Sequence, residues 1–189
     1  NESAEYKLLF QRVFKQKPDA KNLAAAFAAF EETLETVDSK FDDWSNNMGK
    51  LTAPEERGRQ LFVGDKAKCF DCHRMEDFTT DEFKNIGLYD ERKLNDAGLY
   101  NITKKESDKG RFKTPGLRNV AVTAPYMHNG MFRTLEEVLN YYNSPDWFVD
   151  NSINRDDALK TPLRLTAQEK KDIIAFLRTL TDKKYVKRQ

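Results

Sequence analysis

The sequence predicts an all-α fold, and three observations support that prediction. Apolar residues recur at helical spacing in several segments. Three of those segments open with a Thr-x-x-Glu capping box, which is typical of a helix N-terminus. No segment alternates between apolar and polar residues as a half-buried strand would, and no internal repeat is present. With 189 residues, the chain has room for one compact domain plus an extension.

The N-terminal part is predicted to form two helices within residues 6–37, separated by Lys17-Pro18-Asp19. Residues 1–50 are therefore assigned to a helical extension and linker, and residues 51–189 to the main domain. The apolar positions of the two helices are Leu9, Phe10, Val13 and Phe14, then Leu23, Phe27, Phe30 and Leu34.

Three further helices are predicted in the main domain. The first runs from about residue 53 to 62, where Gly58 is costly unless another helix approaches closely. The second runs from 134 to about 142, and the last opens at Thr166. Residues 78 to about 133 are predicted to be mostly loop. A loop of this length is unusual in a compact domain unless it packs around another group.

The chemistry is concentrated in Cys69-Phe70-Asp71-Cys72-His73, a C-x-x-C-H sequence typical of covalent c-type haem attachment. Two thiols one helical turn apart can form thioethers to one porphyrin edge, and His73 can then ligate the iron. The same residues allow a C-x-x-C redox pair or part of a zinc site. The redox pair would need a βαβ setting, and zinc would need further ligands, for which only His128 is available among the remaining Cys and His. One covalent haem c is therefore predicted.

Composition excludes several classes of function. Lys and Arg number 32 against 31 Asp and Glu, so a net charge of +1 argues against nucleic acid as a partner. No apolar run approaches the length of a membrane helix.

The chain opens with Asn1 rather than Met and has no signal-peptide pattern, so we expect a mature protein or a piece of a longer one. Because haem is attached to C-x-x-C-H outside the cytoplasmic membrane, a periplasmic location is predicted.

Several stretches together resemble the bacterial di-haem cytochrome c peroxidases and their MauG-type relatives. The resemblance extends from about residue 20 to 181 and implies a cytochrome c-like haem domain with long loops around the haem. The matching stretches are residues 56–62, 83–88, 111–120, 123–130, 134–138 and 173–177.

This resemblance covers only the C-terminal half of the family, whose members carry two C-x-x-C-H motifs. It implies a peroxidase-type oxidoreductase that reduces hydrogen peroxide or uses it to oxidise a partner. This chain would be its six-coordinate electron-transfer half. The implied partners are an N-terminal haem domain and a small electron donor such as a cytochrome or cupredoxin. The alternative is a stand-alone mono-haem electron-transfer cytochrome, and an interaction fragment without redox chemistry is the third hypothesis.

The second axial ligand is predicted to be Tyr142. The family places its axial Met or, in MauG-type members, Tyr on the helix after the Pro-Tyr-x-His-x-Gly motif, and counting from Gly130 leads to Tyr142. Helical spacing agrees, since Tyr142 shares the face of Leu135 and Val138 while Tyr141 is expected to turn away from it. Met127 and Met131 remain the alternatives, followed by His128.

Two further sites are candidates. The resemblance implies that Thr123 and Pro125 donate backbone carbonyls to a calcium ion between two haem domains, a site that we expect to be empty or partly filled here. Arg118 is a candidate partner for a haem propionate, because a guanidinium holds a carboxylate bidentately, or it is a surface charge.

Overall fold

The structure is a computed structural model that describes residues 3–74 and 76–186. It divides between Thr36 and Val37 into two compact units, which are described separately. The division lies earlier in the chain than the predicted boundary at residues 50 and 51. The segment between the two positions contains a short helix, α3 (Lys40–Ser45), within the second unit.

The first unit contains the two predicted helices, α1 (Ala4–Phe14) and α2 (Ala20–Glu31). The hydroxyl of Ser3 caps α1, and the carboxylate of Asp19 caps α2 by accepting from the Asn22 N–H at 2.7 Å. The break at Lys17-Pro18-Asp19 is therefore where the sequence predicts it, because Pro18 interrupts the helix and Asp19 restarts it.

The second unit is mostly helical, which confirms the predicted fold class. Its sheet, which the sequence did not predict, has two residues in each strand, pairing Phe83 with Lys113 and Lys84 with Phe112 in antiparallel register. The remaining elements in chain order are α4 (Ala53–Val63), β1 (Phe83–Lys84), α5 (Tyr100–Thr103), β2 (Phe112–Lys113), α6 (Leu135–Asn143), α7 (Ala167–Thr179) and α8 (Lys183–Val186).

All three capping boxes form, and they begin α4, α6 and α7. In each, the Glu carboxylate accepts from the backbone N–H of the capping Thr, at 2.6, 3.0 and 2.7 Å respectively. These short-range bonds explain why the starts of the three helices are predictable from sequence. The pairs are Thr52 with Glu55, Thr134 with Glu137, and Thr166 with Glu169.

Two apolar clusters form the core of the second unit. The first core cluster lies where α4 and α7 cross, and the second core cluster lies beside α6. The first contains Phe62, Ala67, Phe78, Leu135, Leu139, Leu163, Leu165, Ile173, Phe176, Leu177 and Leu180. The second contains Leu88, Phe132, Tyr141 and Val149.

Helix α3 packs against the core of the second unit through the ring of Phe41. Phe41 meets Phe78 edge-on at a ring-centroid distance of 5.1 Å and Phe176 at 5.9 Å. A helix of six residues has too little periodicity to be predicted, so the sequence suggested a linker here. Burial against the core stabilises the helix instead.

Gly58 lies at a point where α4 and α7 are in close contact. A β-carbon at this position would overlap the Asp172 carbonyl oxygen and come within 2.9 Å of the Phe176 Cβ. The expectation that Gly58 is tolerated because another helix approaches closely is therefore confirmed.

Gly58→Ala is expected to lower the free energy of unfolding by about 3 kcal/mol, because backbone atoms on both helices must move apart. Chemical denaturation of the haem-loaded protein measures the change. Gln60→Ala, at an exposed site on the same helix, should stay within about 0.5 kcal/mol of the parent. Equal stabilities for the two variants would contradict the close helix contact.

Among the described residues, no helix is long and apolar enough to cross a membrane.

Candidate haem site

The C-x-x-C-H segment forms a single tight turn after α4. Lys68 takes a left-handed backbone conformation (φ 54°), and a 3-10 turn follows from Cys69 to Asp71. The N–H groups of Cys72 and His73 both donate to the Cys69 carbonyl, at 3.2 and 2.9 Å. The turn therefore places both thiols and the imidazole on one short piece of backbone, as the haem prediction requires, although the turn is 3-10 rather than α-helical.

His73 is held in the state that a metal ligand needs. Its Nδ1 lies 2.9 Å from the Phe78 carbonyl oxygen. Burial lowers the pKa of His73, against an opposing effect of the Phe78 and Pro115 carbonyls, so the ring is neutral at pH 7. The Phe78 carbonyl can only accept a hydrogen bond, so the tautomer with its proton on Nδ1 satisfies this contact and would leave Nε2 as the nitrogen for a metal. Such a carbonyl partner orients a histidine ligand.

The two thiols argue against the alternatives to haem. Both cysteines are free of disulfide bonds. Burial raises the pKa of Cys69 to about 12 and raises the pKa of Cys72 as well, so neither is the low-pKa thiolate that disulfide exchange uses. Within residues 3–74 and 76–186, no group of three His, Cys, Asp or Glu side chains is placed to hold a metal ion. A haem c, held by two thioethers and the imidazole, fits this donor set best.

Tyr142 lies in the same neighbourhood as the two cysteines. It packs against both core clusters, and Cys69 packs against the first. Burial raises the pKa of the Tyr142 hydroxyl, and the charges of Tyr141, Cys72 and Cys69 raise it further. The fold thus brings Tyr142 into the region of Cys69 and Cys72, although Tyr142 follows them by about seventy residues in sequence. A bound ferric ion would reverse this pKa shift and favour the phenolate.

Tyr141 differs from the sequence-based expectation. It was expected to turn away from the apolar face of α6, but its side chain has no exposed surface at all. Its hydroxyl donates to the Ile86 carbonyl at 2.6 Å. The physical reason is that α6 is covered on two sides, by the first core cluster and by the second, so a single apolar stripe does not describe it.

The other candidate axial ligands have different surroundings. Met131 is 38% exposed, and the exposed His128 ring stacks on Phe112 with centroids 3.7 Å apart. Met127 is half-buried against the second core cluster and has a left-handed backbone (φ 69°). Met127 is therefore the alternative to Tyr142 that its surroundings favour most.

Comparison with known proteins identifies the family of this chain. A family profile described as di-haem cytochrome c peroxidase matches residues 1–50. Cytochrome-c peroxidase IdrP1 of Pseudomonas sp. strain SCT is 34% identical over 94% of this chain and 54% of its own length. Methylamine utilization protein MauG of Methylorubrum extorquens is 34% identical over 93% of this chain and 49% of its own.

A solved structure of a MauG-like protein associated with microbial copper homeostasis superimposes with a TM-score of 0.74 at 32% identity, covering 96% of this chain and 59% of the other. The chain belongs to the di-haem cytochrome c peroxidase and MauG family. It is a c-type haem protein, and it spans about half the length of the curated relatives that it matches.

Arg118, the candidate propionate partner of this family member, already has carboxylate partners. Its guanidinium donates to both carboxylate oxygens of Asp42 at 3.1 Å and to the Glu76 carbonyl at 3.0 Å. It also lies 3.3 Å from Asp77. Asp42 is on α3, the helix that the sequence did not predict. Pairing of Arg118 with a haem propionate stays a prediction, and the described contacts assign the guanidinium to protein carboxylates.

The residues that the family resemblance assigns to calcium lie at the surface. Thr123 and Pro125 are both exposed and follow a 3-10 turn at Val120–Val122. The Thr123 hydroxyl donates to the Val120 carbonyl at 3.4 Å. Calcium binding by the carbonyls of Thr123 and Pro125 stays a prediction.

Asn85 is a buried structural residue whose role sequence reasoning missed. Its side chain is buried, its Nδ2 donates to the Lys109 and Ile153 carbonyls at 2.8 Å each, and its Oδ1 accepts from the Gly87 N–H at 2.8 Å. One amide therefore joins residues 85–87 to Lys109 within the predicted loop region and to Ile153 beyond it. The family-like stretch 83–88 contains Asn85, but only the three-dimensional partners show what it does.

Proposed function

We propose that this chain is the electron-transfer half of a periplasmic di-haem enzyme that reduces hydrogen peroxide or uses it to oxidise a partner protein. The observation that carries the proposal is the Cys69–His73 turn, with Tyr142 and Cys69 both packed against the first core cluster. The relatives named cytochrome c peroxidase and MauG support the activity of the whole enzyme.

Each of these residues has a defined task. Cys69 and Cys72 would tether haem c, which supplies one-electron chemistry at its iron. His73 would ligate the iron through Nε2 while the Phe78 carbonyl holds the proton on Nδ1. Tyr142 would supply a second protein ligand through its oxygen. If His73 and Tyr142 both held the iron, this half would transfer electrons rather than bind peroxide, which would react in an N-terminal haem domain of the same protein.

Tyrosinate as a ligand has a consequence for the potential. An anionic oxygen stabilises the oxidised state of iron, whereas a thioether favours the reduced state. A haem with a tyrosinate ligand would therefore have a low reduction potential, which suits half of an oxidising enzyme better than a high-potential electron carrier. An electron donor such as a small cytochrome or cupredoxin, and a calcium ion at Thr123 and Pro125, belong to the same proposal.

The isolated, haem-loaded chain of 189 residues is expected to show a low-spin, six-coordinate ferric spectrum and little peroxide turnover. Visible absorption and electron paramagnetic resonance measure the first, and stopped-flow mixing with peroxide measures the second. The matched comparison is the same domain in a protein that retains the preceding haem domain, which should turn over peroxide.

A high-spin ferric spectrum with rapid peroxide reduction by the isolated chain would overturn the assignment. A natural gene without a second C-x-x-C-H motif upstream of Asn1 would instead favour the stand-alone electron-transfer cytochrome.

A further inference from the structure

Tyr141 and Tyr142 are adjacent on α6 and have different surroundings. Tyr141 is fully buried and its hydroxyl donates to the Ile86 carbonyl at 2.6 Å. Tyr142, the proposed iron ligand, is half-buried beside both core clusters. Their rings contact each other at a centroid distance of 5.7 Å and an interplanar angle of 63°.

The acceptor of the Tyr141 hydrogen bond is held rigidly. Ile86 lies between Asn85, whose amide makes three hydrogen bonds to backbone groups, and Gly87, whose N–H provides one of them. Gly87 has a left-handed backbone (φ 97°), and a β-carbon there would lie 3.1 Å from the Tyr141 hydroxyl and 2.6 Å from Arg155 Nε. The Ile86 carbonyl is therefore a fixed point outside the helix rather than a flexible loop atom.

A fixed hydrogen bond at one helix position determines the direction of its neighbour. Consecutive residues on an α-helix point about 100° apart. If the Tyr141 hydroxyl is bound to Ile86, rotation of α6 about its axis is restricted, and the direction of Tyr142 is restricted with it. The same bond occupies the Tyr141 hydroxyl, so the two phenols do not compete for one metal.

We propose that Tyr141 is a positioning residue, which aligns Tyr142 with the haem iron through its hydrogen bond to the Ile86 carbonyl. The inference rests on the proposed ligation by Tyr142. It adds that the ligand geometry depends on a residue that touches neither haem nor substrate. Asn85 contributes to this positioning, because its hydrogen bonds hold the loop that carries the Ile86 carbonyl.

Tyr141→Phe in the haem-loaded protein is the test, because it removes one hydroxyl and keeps the ring in the core. The loss of one hydrogen bond should raise the ratio of high-spin to low-spin ferric haem by about fivefold. It should also broaden the low-spin signal in electron paramagnetic resonance. The matched control is Tyr126→Phe, which removes a phenol bond to the Val120 carbonyl at 2.9 Å. That control should lose stability comparably and keep the parent spin state.

The outcomes separate the two proposals. A high-spin Tyr142→Phe variant together with a Tyr141→Phe variant of parent spectrum would keep the ligand and overturn the positioning role. An unchanged spectrum in Tyr142→Phe would overturn the ligand assignment and the inference with it. If Tyr141→Phe does not fold, Asn85→Ser loosens the acceptor loop without changing either tyrosine. The same rise in the high-spin ratio is then expected, and a parent spectrum in that variant would overturn the inference.

Discussion

A double variant with Cys69→Ser and Cys72→Ser is expected to purify without covalently bound haem and to lose most of its thermal stability. No disulfide can replace the tether, because the chain has no other cysteine. The region between Phe78 and Arg133 has only short elements, such as α5 and the two-residue strands, so we expect its order to depend on the haem and on hydrogen bonds such as those of Asn85. A bound group that favours only the native state stabilises it, and for a protein of this size a loss of about 4 kcal/mol lowers Tm by roughly 10 °C.

The absorbance of haem retained after acid–acetone extraction measures the tether, and differential scanning calorimetry measures the stability. The single variants Cys69→Ser and Cys72→Ser serve as controls, since each keeps one thioether and should retain extraction-resistant haem. Extraction-resistant haem in the double variant would contradict attachment at these residues. Thiols of the parent protein that react freely with an alkylating reagent would contradict it as well.

The second large effect is expected for Tyr142→Phe, which should convert the ferric haem from nearly all low-spin to nearly all high-spin. Phenylalanine preserves the ring that packs against both core clusters but supplies no oxygen to the iron. An open coordination position would also let peroxide reach the iron, and loss of an anionic ligand should raise the reduction potential. Visible absorption in both oxidation states and a potentiometric titration measure these changes.

Met127→Leu and Met131→Leu are the matched controls for that experiment, and both should keep the low-spin spectrum. Conversion to high spin in Met127→Leu, with no change in Tyr142→Phe, would assign the ligand to the thioether. The half-buried position of Met127 against the second core cluster makes it the more informative of the two controls. Met131, at 38% exposure, tests for a nonspecific effect of losing a sulfur.

Elements defined by neighbouring residues could be predicted. The starts of α4, α6 and α7 follow from bonds that span three residues, as between Thr134 and Glu137. Helix α3 and strands β1 and β2 were not predicted, because elements this short are stabilised by distant contacts such as Phe41 with Phe176. The boundary predicted at residues 50 and 51 differs from the division between Thr36 and Val37, because a helix as short as α3 has no recognisable pattern in the sequence.

The sequence by itself determined that the protein is helical and that Cys69, Cys72 and His73 occupy one turn suited to haem. Only the tertiary structure decided which tyrosine is anchored in the core, what Arg118 contacts and why Gly58 has no side chain. The physical reason is distance along the chain. Helix caps and the haem motif depend on residues within one or two turns, whereas Tyr141 meets a carbonyl 55 residues away and Arg118 a carboxylate 76 residues away. Contacts of that range exist only after the chain has folded, and they determine how the residues around the haem motif are directed.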